Sequence, residues 1–269
     1  MALSAFLGAL IGAILGLTGA GGGILAVPAL AMGMHWTMQQ AAPVALVAVA
    51  MGAAVGALEG LRNGLVRYKA AVLIAISGFP LVYIGQMLAQ QLPQPALQSG
   101  FAMVMLLVAY RLYRQVRLNF MEESEHVFAR ARVNPDSGKF IWSLPTAALL
   151  ASIGGATGFM TGLLGVGGGF VIVPMLRKFT EVSMQGIVAT SLMVIALVGA
   201  SGVASAVIHS TSIPWGPAAV FSATTMLGML AARRLIKKIS PHHVQLTFAV
   251  VLTAVAAGLL LQASRALVA

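Results

Sequence analysis

"GLTGAGGGILAVPAL" at Gly16–Leu30 and "GLLGVGGGFVIVPML" at Gly162–Leu176 are the stretches on which the fold turns. Each places three consecutive glycines, Gly21–Gly23 and Gly167–Gly169, inside a long apolar segment. A glycine costs about 1 kcal/mol relative to alanine in a helix interior, so each triplet predicts a break. The stretches align without a gap at a spacing of 146 residues, with identities at Gly16/Gly162, Leu17/Leu163, Gly19/Gly165, Val27/Val173, Pro28/Pro174 and Leu30/Leu176. The same spacing pairs Gly8 with Gly154, Gly12 with Gly158, and Met38-Gln39 with Met184-Gln185. Agreement over that distance is the mark of an internal duplication.

Around these stretches the chain is built for lipid. Of its 269 residues 59% are hydrophobic and only 8% charged, more apolar surface than a water-soluble domain can bury. The net charge of +10 lies in short loops between apolar runs, where the positive-inside rule accounts for it without nucleic acid as a partner. Cysteine is absent, which excludes disulfides, thiolate metal sites and cysteine nucleophiles. The opening "MALSAFLGALIGAILG" has no basic n-region and reads as a retained membrane segment.

Six apolar runs have the length needed to cross a hydrocarbon core of about 30 Å: Met38–Leu58, Ala70–Ala89, Ala96–Leu112, Met184–Ile208, Gly216–Ala232 and Val244–Leu261. The glycine-bearing segments differ. Leu3–Thr18 gives about 24 Å of helix and Ile24–His35 about 18 Å, two short helices around a break. Loop charges orient the spans. Arg62, Arg67 and Lys69 place the first basic loop in the cytoplasm, and uncharged "QQLPQPALQ" lies outside. Arg111, Arg114, Arg117, Arg130, Arg132 and Lys139 are inside, as are Arg177, Lys178, Arg233, Arg234, Lys237 and Lys238, with "HSTSIPWG" outside. Met38–Leu58 therefore runs inward and its counterpart Met184–Ile208 outward. Ile141–Leu176 starts and ends inside, so it enters and returns, and Leu3–His35 does the same from the opposite face; two thin full crossings are the alternative.

The predicted fold is an all-α polytopic membrane protein of the bacterial inner membrane. Two inverted repeats, 1–110 and 141–269, each combine a glycine-broken short or re-entrant hairpin with three transmembrane helices. A cytoplasmic linker, 111–140, carries "EESEH", "NPDSG" and a short interfacial helix.

The triplets match no nucleotide fingerprint: a P-loop needs lysine after Gly21, and G-x-G-x-x-G fails at Ile24 and Phe170. Close helix packing explains the four-residue ridges Gly8/Gly12/Gly16, Gly154/Gly158/Gly162 and Gly52/Gly56/Gly60. It does not explain adjacent glycines, which point around a helix rather than along one face. A broken helix at bilayer depth leaves unpaired N–H groups, tolerable where they line a cavity or meet a partner. Half-helices starting after Gly22 and Gly168 aim positive dipole ends and free donors at the break, a setting that suits an oxyanion. Inverted topology brings two such breaks together near the midplane.

With "ATSLMVIAL" at Ala189–Leu197, the two glycine stretches make nearly the whole chain resemble the sulfite exporter TauE/SafE family of membrane permeases. The resemblance implies a small anionic sulfur compound, sulfite or an organosulfonate, as substrate. It carries the glycine breaks onto Gly19, Gly21, Gly22, Gly23, Gly165, Gly167, Gly168 and Gly169, and the family's Thr-Ser pair onto Thr190 and Ser191. The first half has Val44 and Ala45 at the equivalent positions, after Pro43, a departure from a symmetric hydroxyl cage.

Thr18 and Thr161 flank the breaks and join the candidate site, open to capping a half-helix or touching substrate. Thr190 and Ser191 face a similar choice between the anion and a carbonyl one turn earlier. Pro28 and Pro174 bend the returning half-helices. Glu59 beside Arg62 reads as a snorkelling ion pair rather than a proton relay, and His35 and His209 as interfacial side chains. The leading reading is a secondary permease moving a small anion by alternating access, with no cofactor, metal or enzymatic activity and with oligomers possible. The alternative is an accessory protein packing in a larger membrane complex. An intramembrane enzyme lacks a His cluster or carboxylate pair within the apolar runs.

Overall fold

The computed structural model describes residues 2–19, 21–118, 142–180, 182–208, 214–235 and 241–268. They form α1 (Ala2–Thr18), a 3-10 turn (Gly22–Leu25), α2 (Ala26–Met34), α3 (Met38–Arg62), α4 (Tyr68–Gln91), α5 (Gln94–Leu118), α6 (Leu144–Leu164), α7 (Gly169–Phe179), α8 (Met184–Ile208), α9 (Trp215–Leu235) and α10 (Pro241–Val268), with no strand among the described residues. All six predicted spans are present. α5 continues to Leu118, so the first two turns of the predicted linker extend a long helix. The rest of the linker, with its acidic cluster and Arg130, Arg132 and Lys139, lies outside the described residues, as do His209, Lys237 and Lys238.

Among the described residues seven helices are long and apolar enough to cross a membrane, one more than the six apolar runs. The addition is α6, the first arm of the second hairpin; its 21 residues give about 31 Å, longer than a half-depth helix. Four glycines do not break it because they lie along α4. Gly154, Gly158 and Gly162 face Ile74, Gly78 and Val82 in turn, so the two helices run parallel with backbones in contact. The first half repeats this arrangement, with Gly8, Gly12 and Gly16 facing Phe221, Thr225 and Met229 on α9. A Cβ on Gly16 would lie 2.7 Å from the Met229 carbonyl oxygen. Both ridges are thus packing surfaces. The third set is divided: Gly52 meets Leu15 and Met229, while Gly60 meets Ala189.

α3 and α8 occupy the centre. The most apolar window of α3 is 67% buried and that of α8 56%, against 28% for α10. They run antiparallel, since Gly60 faces Ala189, Gly199 faces Ala50 and Gly202 faces Leu46. α5 and α10 pack on one another at the flank. Arg62, Arg67, Lys69, Arg111, Arg114, Lys178 and Arg234 mark one end of the bundle, called here the basic end; the junctions between α2 and α3 and between α4 and α5 mark the neutral end. α6 enters beside the start of α4, from the basic end. α1 enters beside the start of α9, from the neutral end. A capping box fixes the entry to α3: Thr37 Oγ1 accepts from the Gln40 amide at 3.2 Å, and the Gln40 side chain accepts from the Thr37 amide at 3.1 Å.

Candidate functional site at two glycine turns

Both hairpins turn on their glycines. α1 ends at Thr18, and Gly19 takes the left-handed conformation at φ +72°. Gly21 returns to the right-handed helical region, and the chain winds through one 3-10 turn before α2. In the second half Gly165 closes α6 at φ +71°, its amide donating to the Thr161 carbonyl at 2.8 Å. Gly167 and Gly168 are then also left-handed, at φ +77° and +66°, and α7 starts directly at Gly169. Left-handed backbone costs an L side chain about 1–2 kcal/mol, so Gly165, Gly167 and Gly168 are glycine by conformation.

The two turns meet at the centre of the bundle. A Cβ on Gly23 would lie 2.9 Å from the Val166 carbonyl oxygen and 3.0 Å from a Val49 methyl; one on Gly167 would lie 3.2 Å from the same methyl and 2.9 Å from Ile195. Val49 and Ile195 are close to the midpoints of α3 and α8, so Gly23 and Gly167 lie at the middle level of the bundle. The flanking contacts match as well. Gly165 abuts Ala42 and Gly19 abuts Val188, positions separated by the same spacing as the repeat.

This arrangement gathers amide donors. The Gly168 carbonyl accepts from Val171 at 2.9 Å and Ile172 at 3.2 Å, and the Gly21 carbonyl accepts from Ile24 at 3.3 Å. The preceding amides, of Gly169 and Phe170 and of Gly22 and Gly23, have no carbonyl of their own helix to bond. Two helix starts therefore present positive dipole ends to the middle of the molecule. Gly22, Gly23 and Gly165–Gly169 are all buried, with Gly21 partly so.

The predicted hydroxyls divide. Thr18 donates to the Ile14 carbonyl at 2.8 Å, Thr161 to the Thr157 carbonyl at 2.7 Å, and Ser191 to the Val188 carbonyl at 2.8 Å. Each takes the back-bonded option for its proton and keeps a lone pair for other donors. Thr190 turns toward the basic end, where its Oγ1 accepts from the Arg67 amide at 3.0 Å and ties α8 to the start of α4. Val44 and Ala45 are fully buried core residues.

The sequence reading missed three features. Thr157 is fully buried with an unpartnered hydroxyl, and its methyl group abuts Gly168. Val49 lies against both turns and Ile195 against the second, and an apolar residue in mid-helix carries no signal of that role. Third, a cavity adjoins each hairpin. One, of about 110 Å³, reaches from the neutral end to Leu163 and Leu164, past Gln39, Gln86, Leu97 and Phe101. The other, of about 240 Å³, lies between Ile14, Leu17 and Thr18 on α1 and Val244, Phe248 and Val251 near the basic-end start of α10. Phe101 and Phe248 occupy equivalent places. Their signal was present at a spacing of 147, which pairs Gln98/Gln245, Phe101/Phe248, Ala102/Ala249, Ala109/Ala256 and Leu112/Leu259. One residue inserted between the third and fourth helices of the second half hides it from a search at 146.

The family described as Sulfite exporter TauE/SafE matches residues 4–259. A probable membrane transporter protein of Xylella fastidiosa (strain Temecula1 / ATCC 700964) is 27% identical over 254 residues, covering 93% of this chain and 90% of the relative. The probable membrane transporter protein YunE of Bacillus subtilis (strain 168) is 24% identical over 216 residues, 78% of each chain. No solved structure matches the chain.

Proposed function

The chain belongs to the sulfite exporter TauE/SafE family of multi-pass membrane transporters, and from that premise we propose that it is a secondary permease for a small sulfur-containing anion, held between the two glycine turns. One observation carries the proposal. Gly23 and Gly167 converge on Val49, so two sets of helix-start amides converge in an apolar interior from hairpins entering at opposite ends. Sulfite or an organosulfonate supplies what such donors lack, a charge-dense acceptor, and glycine lets it approach the backbone. Thr18, Thr161, Thr190 and Ser191 are second-line contacts in this reading, since their hydroxyls already serve the protein. With backbone dipoles rather than a fixed cation as the main attraction, binding is weak enough to permit release.

The halves act as inverted repeats. The antiparallel α3 and α8, and hairpins entering from opposite ends, support that relation, and the cavities on either side support alternating access. The basic end faces the cytoplasm of the inner membrane.

Flux into proteoliposomes tests the proposal, with sulfite and sulfoacetate as probes. Saturable flux is expected from the native chain. Gly23→Ala, whose methyl group would fill the space beside Val166, is expected to lower it at least tenfold, the effect of about 1.4 kcal/mol. Gly100→Ala, on α5 with no neighbour within 4 Å and an ordinary helical backbone, is expected to retain flux. If neither anion is carried, nor raises the melting temperature of the purified protein, the anion reading fails.

A further inference from the structure

The two cavities are one design used twice. Leu163 and Leu164 of the first correspond to Leu17 and Thr18 of the second at a spacing of 146, and Leu97 and Phe101 correspond to Val244 and Phe248 at 147. The two lie toward different ends. The first is bounded by the starts of α3 and α5 and the end of α4, all at the neutral end; the second is bounded by the start of α10, at the basic end. Each reaches the end of the helix that leads into one glycine turn, and each is lined by a phenylalanine. Phe101 is fully buried and Phe248 is 6% exposed. The Phe248 ring lies 3.4 Å from where a Cβ on Gly21 would be, so it covers the first turn directly.

We infer that Phe101 and Phe248 are paired gates, Phe101 between the second turn and the neutral end, Phe248 between the first turn and the basic end. The inference rests on the transport reading and adds to it the residues that separate the binding turns from either side. The physical case is that a phenyl ring is large, apolar and rigid beyond two torsions, so it blocks a hydrated path in one rotamer and clears it in another. An open volume adjoins each ring, giving it somewhere to move. Each gate sits on a flanking helix, α5 or α10, rather than on the central pair, so it can swing without parting α3 from α8.

The chain has no cysteine, so single-cysteine reporters have no background. Leu163→Cys and Leu17→Cys place equivalent reporters in the two cavities, read by the membrane-impermeant reagent 2-sulfonatoethyl methanethiosulfonate on right-side-out and inside-out vesicles. Leu163→Cys is expected to react only from the neutral end and Leu17→Cys only from the basic end. Adding Phe248→Ala is expected to speed Leu17→Cys by about tenfold, equivalent to about 1.4 kcal/mol off the barrier, and leave Leu163→Cys unchanged. Phe101→Ala is expected to do the reverse. Where truncation to alanine prevents accumulation, Phe248→Leu and Phe101→Leu keep the core filled while removing the ring. A phenylalanine that only fills the core changes stability without side-specific labelling. Reporters that react from the same end, or from neither, overturn the inference, as do phenylalanine variants that speed both reporters alike or neither. Labelling needs no substrate, so a flux assay that carries no anion would sink the transport reading while the gates are judged by their own result.

Discussion

Gly21 in the first turn lies in the right-handed helical region, at φ −82°, while its counterpart Gly167 in the second lies at φ +77°. The first hairpin needs one left-handed glycine, Gly19, and passes through a 3-10 turn; the second needs three, Gly165, Gly167 and Gly168, and goes straight into α7. The same letters therefore answer different physical demands. At Gly22 the demand is approach: a Cβ there would lie 2.5 Å from the Leu15 backbone. At Gly168 it is conformation as well as space, since the φ of +66° is closed to most side chains and Thr157 and Thr161 crowd the position. A repeat conserves the break and leaves its backbone solution to the neighbours.

Where the halves are alike, equal damage is expected, and it is the largest. Gly12→Leu and Gly158→Leu each drive a side chain into backbone, of Thr225 and of Gly78. Each is expected to cost more than about 3 kcal/mol and abolish folded protein, read as loss of a monodisperse peak after detergent extraction. A tolerated variant in one half would break the equivalence of the two ridges.

Where the halves differ, equivalent substitutions should part company. Gly167→Ala is expected to destabilise by about 2–3 kcal/mol, from a left-handed alanine crowding Ile195, while Gly21→Ala stays within about 0.5 kcal/mol because its nearest neighbour is 3.4 Å away. Thermal unfolding in detergent measures both, and equal shifts would mean that the two turns share one conformation. A smaller contrast lies in the hydroxyls. Thr190→Val removes the acceptor of the Arg67 amide and is expected to cost about 1 kcal/mol. Thr157→Val deletes an unpartnered hydroxyl at equal volume and is expected to leave the melting temperature unchanged or raise it, by less than about 0.5 kcal/mol in stability. A clear loss there would show that the Thr157 hydroxyl has a partner at the second turn.

Much of this was legible beforehand, because lipid constrains so strongly. Uncharged runs of the right length have almost no alternative to a spanning helix, and Met184–Ile208 was read to the residue. The ridges Gly8/Gly12/Gly16 and Gly154/Gly158/Gly162 were legible as contact surfaces because four-residue spacing places them on one helix face. What they contact was not. Nothing in α6 names α4 as its neighbour, and the full length of α6 was hidden because glycines that weaken an isolated helix are harmless once a second backbone covers them.

Sequence alone determined that this chain lives in a membrane, that one glycine stretch occurs twice at a spacing of 146, and that a helix break is expected at each copy, since composition, spacing and intrinsic propensity are properties of the string. Only the tertiary structure decided that Gly23 and Gly167 share Val49, that Thr190 serves the Arg67 amide, and that the triplets adopt unlike backbones. The reason is physical: each of those outcomes depends on which atoms arrive from another helix, 26 positions away for Gly23 and Val49 and 123 for Arg67 and Thr190, and no local preference carries that information.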